Sequence, residues 1–256
     1  MEDSEREEEI TESKPIVAVI DADFIPFYVC YNKKGQEEKT LDDCINICDN
    51  FINNILKATN ADYYVGYLTK GKCFRYDINP DYKANRKYLD QPQYLDQIKE
   101  RLLTYNFVSQ KGWEADDLCM SFKAQNSQFE SIIVSPDKDL LGICEKSFNP
   151  RLMQFNYHSK EEIVENFWRS MIVGDTADNI KGIPGKGPKY FNNLIDGFIY
   201  LGDSWDYIIF DEYINHFGEY EGIKEFYKNY LSLKIVDNVK LEEIKLNKVL
   251  KETFSE

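Results

Sequence analysis

The sequence predicts an α/β fold, with a mainly parallel central sheet flanked by helices and a helical C-terminal part packed beside it. Three observations lead there. Residues 16–20 (IVAVI) form an unbroken, largely β-branched run ending in Asp21, as expected of a strand covered on both faces. Strand-like and helix-like stretches then alternate, the pattern of parallel strands joined by helical crossovers. From Ile180 onward the alternation gives way to helices and loops.

Each element has its own local reason. Thr40 can cap a helix whose apolar positions Leu41, Ile45, Cys48, Ile52, Ile55 and Leu56 recur at helical spacing. Residues 63–68 and 131–135 (SIIVS) read as further strands, and 107–110 as a weaker one. Helical stretches lie between them, over 92–103 with Leu95, Ile98 and Leu102 on one side, and over 114–124. Ser159 with Glu162 makes a capping box for a helix running through Met171. Lys186 or Pro188 opens another toward Leu194. Residues 1–14 lack apolar periodicity and carry seven acids against two bases, so they read as a solvated tail.

Composition narrows the class. At 256 residues, with 43% hydrophobic and 30% charged residues, the chain can bury one sizeable core; disordered and fibrous classes are excluded. No apolar run approaches the roughly 18 residues of a membrane span, and the acidic start has no signal-peptide core. A soluble, cytoplasmic protein is expected. The cysteines Cys30, Cys44, Cys48, Cys73, Cys119 and Cys144 form no C-x-x-C pair, and His158 and His216 are too few to complete a zinc site, so neither disulfides nor structural zinc is expected.

The net charge of −14 argues against a nucleic-acid binder until its distribution is read. Residues 15–195 hold 25 acids and 22 bases, and two basic strips lie among them. Residues 70–87 carry Lys70, Lys72, Arg75, Lys83, Arg86 and Lys87 against Asp77 and Asp81. Residues 179–190 carry Lys181, Lys186 and Lys189 with no acid. The first strip interleaves its bases with Phe74, Tyr76, Tyr82 and Tyr88. Either the rings are core and the charges a solvated face, or cations meet phosphates while rings stack on unpaired bases.

Acids follow the expected strands, where open α/β sheets bind their ligands. Asp21 ends the first strand; Glu114, Asp116 and Asp117 follow the weak strand; Asp137 and Asp139 follow SIIVS; Asp175 and Asp178 follow the helix ending near Val173. Singly, each reads as a turn former or helix cap, and that role is preferred for Asp23. Together, eight carboxylates from four segments can share one rim only with hard cations among them. Two Mg²⁺ ions, with Mn²⁺ as a substitute, would suit such oxygen ligands and could stabilise both the attacking and leaving oxygens of a phosphodiester. The run NIKGIPGKGPK places Gly182, Gly185 and Gly187 in a turn before a helix. It is either a plain surface turn or a cradle for a phosphate or a monovalent cation.

The segments VIDADFIPF, KGKCFRYDINPDYKANRK, GWEADDLC, VSPDKDLL and VGDTADNIKGIPGKGPK, in that order, resemble the bacterial and phage 5′-nuclease family of flap endonucleases and 5′-3′ exonucleases. The match spans about 180 of 256 residues. It implies a PIN-like α/β core over 15–175 with a short arch near 76–105, and a helical region over 176–256 holding a helix-three-turn-helix that grips duplex DNA, with K⁺ a ligand there. It implies Mg²⁺-dependent hydrolysis near the 5′ ends of branched DNA, RNA/DNA hybrids included, by a monomer in a phage or bacterium.

Position by position, the family's first-metal acids fall on Asp21, Glu114, Asp116 and Asp137, with Asp117 beside them. Asp139, Asp175 and Asp178 match the second metal group. Tyr82, Lys83 and Arg86 match residues at the base of the arch that engage the unpaired strand and scissile phosphate. Read from the two basic strips and the glycine run, the expected DNA contacts are Lys70, Lys72, Arg75, Lys181, Gly182, Gly185, Lys186, Gly187 and Lys189. Thr69 stands where the family commonly has another Asp, which leaves the first-metal group one carboxylate short. Two rivals share the pattern: a PIN-like ribonuclease, which has no need of the glycine hairpin, and a non-catalytic junction-binding protein, which has no need of all eight acids.

Overall fold

The computed structural model describes residues 13–32, 37–88, 90–198, 204–242 and 245–249. Residues 1–12 of the expected acidic tail lie outside that set, as do the side chains of Lys87 and Tyr88. Along the chain run β1 (Ile16–Asp21), α1 (Phe24–Cys30), α2 (Leu41–Thr59), β2 (Tyr63–Tyr67), α3 (Arg75–Ile78), a 3₁₀ turn (Ala84–Tyr88), α4 (Leu95–Leu103), α5 (Ala115–Gln125), β3 (Glu130–Val134), α6 (Lys138–Leu141), β4 (Lys146–Asn149) and β5 (Gln154–Tyr157). The remainder is α7 (Lys160–Val173), β6 (Gly174–Asp175), β7 (Ile180–Lys181), α8 (Pro188–Phe198), α9 (Trp205–Phe217), α10 (Glu219–Leu233) and β8 (Asn247–Lys248).

The main sheet has the order β5-β4-β3-β1-β2-β8. Strands β1 to β4 are mutually parallel where they pair, and the edge strands β5 and β8 are antiparallel. β1 lies at the centre because its alternate residues serve two cores. Ala18 and Ile20 pack with α1, α2 and α4 on one face, while Val17 and Val19 pack with α5 and residues 235–246 on the other. All four are fully buried, each larger side chain contributing about 1.5–3 kcal/mol of transfer free energy.

The capping boxes at Thr40–Asp43 and Ser159–Glu162 form as their sequence spacing requires. Residues 107–110 do not form a strand. Val108 makes a single bridge to Tyr67, because Asn106 and Gly112 take positive φ (56° and 90°) and turn the chain out of the sheet on either side. The polar strands β4, β5 and β8 carry too few apolar residues to stand out in the sequence. Within residues 76–105, α4 packs on α1 and α2 through Ile98 and Leu102, and Arg101 pairs with Asp49 of α2.

Helices α7 to α10 build a third cluster around Met171, Ile172, Phe191, Ile209, Tyr213 and Phe226. The β6–β7 hairpin leads from α7 into the glycine run. Gly182 is obligatory in that packing, since a Cβ there would lie 2.2 Å from the Ile172 carbonyl. Asn229 of α10 donates to the Lys181 carbonyl (2.7 Å) and the Tyr213 hydroxyl (2.8 Å), fixing the hairpin to the helices.

Candidate active site

Three parallel strands end at the same edge. Asp21 closes β1, Thr69 lies just past β2, and Ser135 lies just past β3. The Ser135 hydroxyl donates to Asp21 Oδ2 (2.9 Å) and accepts the Asp137 N–H (3.1 Å), so it ties two acids of different strands. Asp137 Oδ1 accepts the Asp139 N–H at the start of α6 (2.9 Å). Against this edge stands the N-terminus of α5, with Glu114 at the cap and Asp116 and Asp117 in the first turn, where the helix dipole favours negative charge. Asp175 ends β6, and Asp178 follows in the hairpin turn.

Seven of the eight predicted acids line one open cleft of about 1590 Å³: Asp21, Glu114, Asp116, Asp137, Asp139, Asp175 and Asp178. Asp117 does not. It is fully buried behind the rim, with its two oxygens 2.7 Å from the Arg75 guanidinium and Oδ1 accepting the Val236 N–H. One oxygen of Asp117 nonetheless lies within 4.8 Å of oxygens of Glu114 and Asp116.

The cations sit among these acids. Lys83 Nζ is 2.5 Å from Glu114 Oε1 and 3.6 Å from Asp178 Oδ2, and Arg86 Nη2 is 2.5 Å from Asp178 Oδ1. Lys83 takes a positive φ of 53° and its N–H donates to the Asp178 carbonyl (2.9 Å), which sets the side chain toward the cleft. The Tyr82 hydroxyl lies 2.8 Å from Glu114 Oε2 and 3.0 Å from Asp178 Oδ2. Tyr82, 2% exposed, lines the cleft between the two acids.

Burial dominates the electrostatics. It pushes Asp21 up to about 7, aided by the neighbouring Asp23 charge and opposed by Ser135. Burial also raises Asp116 well above the usual carboxylate range, with Asp117 and Glu114 adding to it. Asp139 is pushed up to about 7 by desolvation and by its hydrogen bond with Asp175. Glu114 goes the other way: burial raises it, but Lys83 and Arg75 outweigh that and hold it low. Carboxyls that would rather keep a proton than share a pocket as anions form an all-oxygen donor set suited to hard divalent cations, so the residues present fit such ions.

The basic strips divide. Lys70, Lys72, Lys181 and Lys189 are exposed, with Lys72 Nζ 5.8 Å from the Tyr76 ring. Arg75, expected at the DNA surface, is instead 1% exposed, bound to Glu114 and Asp117 and donating to the Lys234 carbonyl. Lys186 pairs with Glu212, which also accepts the Tyr190 hydroxyl (2.6 Å). Gly185 takes φ 77° in open space and Gly187 is likewise unobstructed, whereas Gly182 serves the close approach to α7.

Sequence reasoning gave no role to Ser135 or Asn229, and read Thr69 only as a missing acid. It preferred a turn-former or helix-cap role for Asp23, which does lie in the turn before α1. Asp23 makes no side-chain cap hydrogen bond there; its carboxylate accepts the Thr69 N–H (2.8 Å) inside the cleft.

Fold and cleft together define the class: an α/β protein that gathers carboxylates, and the lysine and arginine opposing them, at the carboxyl edge of its sheet. A family model for the 5′-3′ exonuclease N-terminal resolvase-like domain matches residues 17–168, more than half of the chain. The chain belongs to the 5′-3′ exonuclease family. It is 34% identical over 224 residues to DNA polymerase I of Borreliella burgdorferi, covering 79% of this chain and 24% of the polymerase. It is 28% identical to a 5′-3′ exonuclease of Mycoplasmopsis pulmonis over 201 residues, 70% of this chain and 65% of that one. The chain thus spans about a quarter of the polymerase and just under two thirds of the exonuclease. Among solved structures, the T5 D15 protein co-crystallised with metal ions aligns with a TM-score of 0.65 at 21% identity, over 86% of this chain and 89% of that one. The catalytic core of Rad2 in complex with DNA substrate aligns with a TM-score of 0.56 at 15% identity, over 91% and 83%. These likenesses establish the fold.

Proposed function

We propose that this chain is a structure-selective 5′-nuclease, a 5′-3′ exonuclease and flap endonuclease that hydrolyses phosphodiesters near 5′ ends or flaps at single-strand/duplex junctions. The single observation that carries the reading is the convergence of acids from β1, the β3–α6 turn, α5 and the β6–β7 hairpin on one cleft, with Lys83 and Arg86 between them. Asp21, Glu114, Asp116 and Asp137, with Asp117 behind them, would hold one Mg²⁺ or Mn²⁺ ion; Asp139, Asp175 and Asp178 would hold a second. When bound, such ions supply Lewis acidity and charge neutralisation to the phosphodiester and to the water that attacks it.

The chain's own residues do the rest. Lys83, poised between Glu114 and Asp178, exchanges a carboxylate for a phosphate oxygen when the strand enters, and Arg86, about half exposed, meets a neighbouring phosphate. Tyr82 keeps Glu114 and Asp178 apart during that exchange. Residues 15–175 form the nuclease core. The C-terminal part with helices α8 to α10 carries the glycine hairpin, with K⁺ as its ligand, and Lys181 and Lys189 face the duplex backbone while Lys70 and Lys72 face the single strand. The DNA polymerase I relatives support a part in replication, including primer removal. The chain acts in the cytoplasm as a monomer; among the described residues no helix is long and apolar enough to cross a membrane.

A labelled 5′-flap DNA with Mg²⁺ tests the reading, beside a structured RNA. The intact protein is expected to cut the flap, and Asp116→Ala to cut it at least about 100-fold more slowly. Equal cutting by both proteins, or cutting of RNA alone, would overturn it.

A further inference from the structure

The carboxylate of Asp23 has no role in the site as described. It lines the cleft between the ends of β1 and β2 and the start of α5, the elements that carry Asp21, Thr69 and Glu114. Its backbone N–H donates to Asp21 Oδ1 (3.3 Å). Its own Oδ1 accepts the Thr69 N–H (2.8 Å). Thr69 Oγ in turn accepts the N–H of Ala115, the residue after Glu114 (2.9 Å). Asp23 is therefore joined on one side to Asp21 and on the other, through a single threonine, to the helix turn bearing Glu114 and Asp116.

That position is costly for an idle residue. Asp23 adds a carboxylate beside Asp21 and Glu114, with Thr69 and the charge of Lys83 opposing the repulsion. Thr69 cannot exhaust an ionised carboxylate, which has about four acceptor sites. Counting acids along the sequence leaves the first-metal group one short at Thr69, yet the structure sets an acid directly against that threonine from the neighbouring strand end. Acid and hydroxyl share the contact whichever strand carries which.

We infer that Asp23 contributes a carboxylate oxygen to the first-metal group, oriented by Thr69, so that the acid missing after β2 is supplied from the end of β1. The inference rests on the nuclease reading above and adds to it a residue that the motif pattern does not require.

The test is Mn²⁺ binding to the full chain without DNA, read as free Mn²⁺ by electron paramagnetic resonance and as the Mn²⁺-induced rise in Tm. Asp23→Asn keeps an oxygen to accept the Thr69 N–H and removes one like charge. It is expected to raise the Tm of the metal-free protein while weakening the first Mn²⁺ by about 10- to 100-fold. Unchanged Mn²⁺ affinity in folded Asp23→Asn would overturn the inference. The exchange variant Asp23→Thr with Thr69→Asp moves the carboxylate across the same contact, and is expected to bind Mn²⁺ within a few-fold of the unaltered protein; a folded exchange variant that has lost the first Mn²⁺ would also overturn it. Asp116→Asn separates the two levels. If it too binds Mn²⁺ normally, the nuclease reading has failed; if it loses Mn²⁺ while Asp23→Asn does not, only the role of Asp23 has.

Discussion

Arg75 lies with its guanidinium 2.7 Å from both Asp117 oxygens, 3.0 Å from Glu114 and 2.7 Å from the Lys234 carbonyl, which leaves it no surface to offer a phosphate. In sequence it is one of six bases in a strip, and nothing local separates it from Lys72 or Arg86. Only the return of residues 234–236 against α5 does so. Removing one partner of such a buried network strands the others, so Arg75→Met is expected to lower stability by about 3–5 kcal/mol in urea unfolding. A base serving only DNA would cost less than about 0.5 kcal/mol. Ser135 offers a second test at this scale. Ser135→Ala frees Asp21 from its hydrogen bond, and the first Mn²⁺ is expected to weaken about 10-fold by calorimetric titration, with the fold intact by circular dichroism.

Among the elements, those with local causes were legible: β1 from its apolar run, α2 from the Thr40 cap and its apolar period, and α7 from its capping box. The edge strands were not, because their residues alternate weakly and their pairing is decided by neighbours far along the chain. The glycine hairpin mixes both kinds of cause. Gly182 faces backbone at 2.2 Å whereas Gly187 faces nothing within 4 Å. Thermal melts should therefore show Gly182→Ala strongly destabilised and Gly187→Ala close to the unaltered protein. A hairpin that grips DNA through its lysines makes a separate prediction. Lys181→Ala and Lys189→Ala should each reduce the slope of log affinity against log salt for duplex DNA by about 1, without changing Tm. Lys186, paired with Glu212, should change the slope less.

For the whole molecule, the crowded carboxyls tie stability to pH and to cations. Asp21, raised to about 7 by burial, keeps in the metal-free fold a proton that the unfolded chain releases near its ordinary value of 3.8. Across that window the native state binds more protons than the unfolded one, so stability falls as pH rises from about 4 to about 7. Asp139 acts in the same direction. Metal-free protein should accordingly melt higher at about pH 5.5 than at about pH 7.5 by calorimetry, and saturating Mg²⁺ should close the gap by taking the proton's place. A higher melting temperature at the alkaline end without metal would show that these carboxyls are not the dominant titrating groups.

The sequence by itself determined the alternating α/β order, the two-sided burial of β1 and the set of acids that could meet, because hydrophobic period, capping and strand-end placement are properties of neighbours along the chain. Tertiary structure alone decided which charges face the cleft and which face each other. Asp117 and Arg75 withdrew into the interior, Tyr82 settled between Glu114 and Asp178, Lys186 was claimed by Glu212, and Asp23 turned its carboxylate into the cleft. The reason is physical: a charged side chain takes its role from whatever approaches within a few ångströms, and here those partners come from Glu114, Asp178, Glu212 and Lys234, more than 25 residues away along the chain.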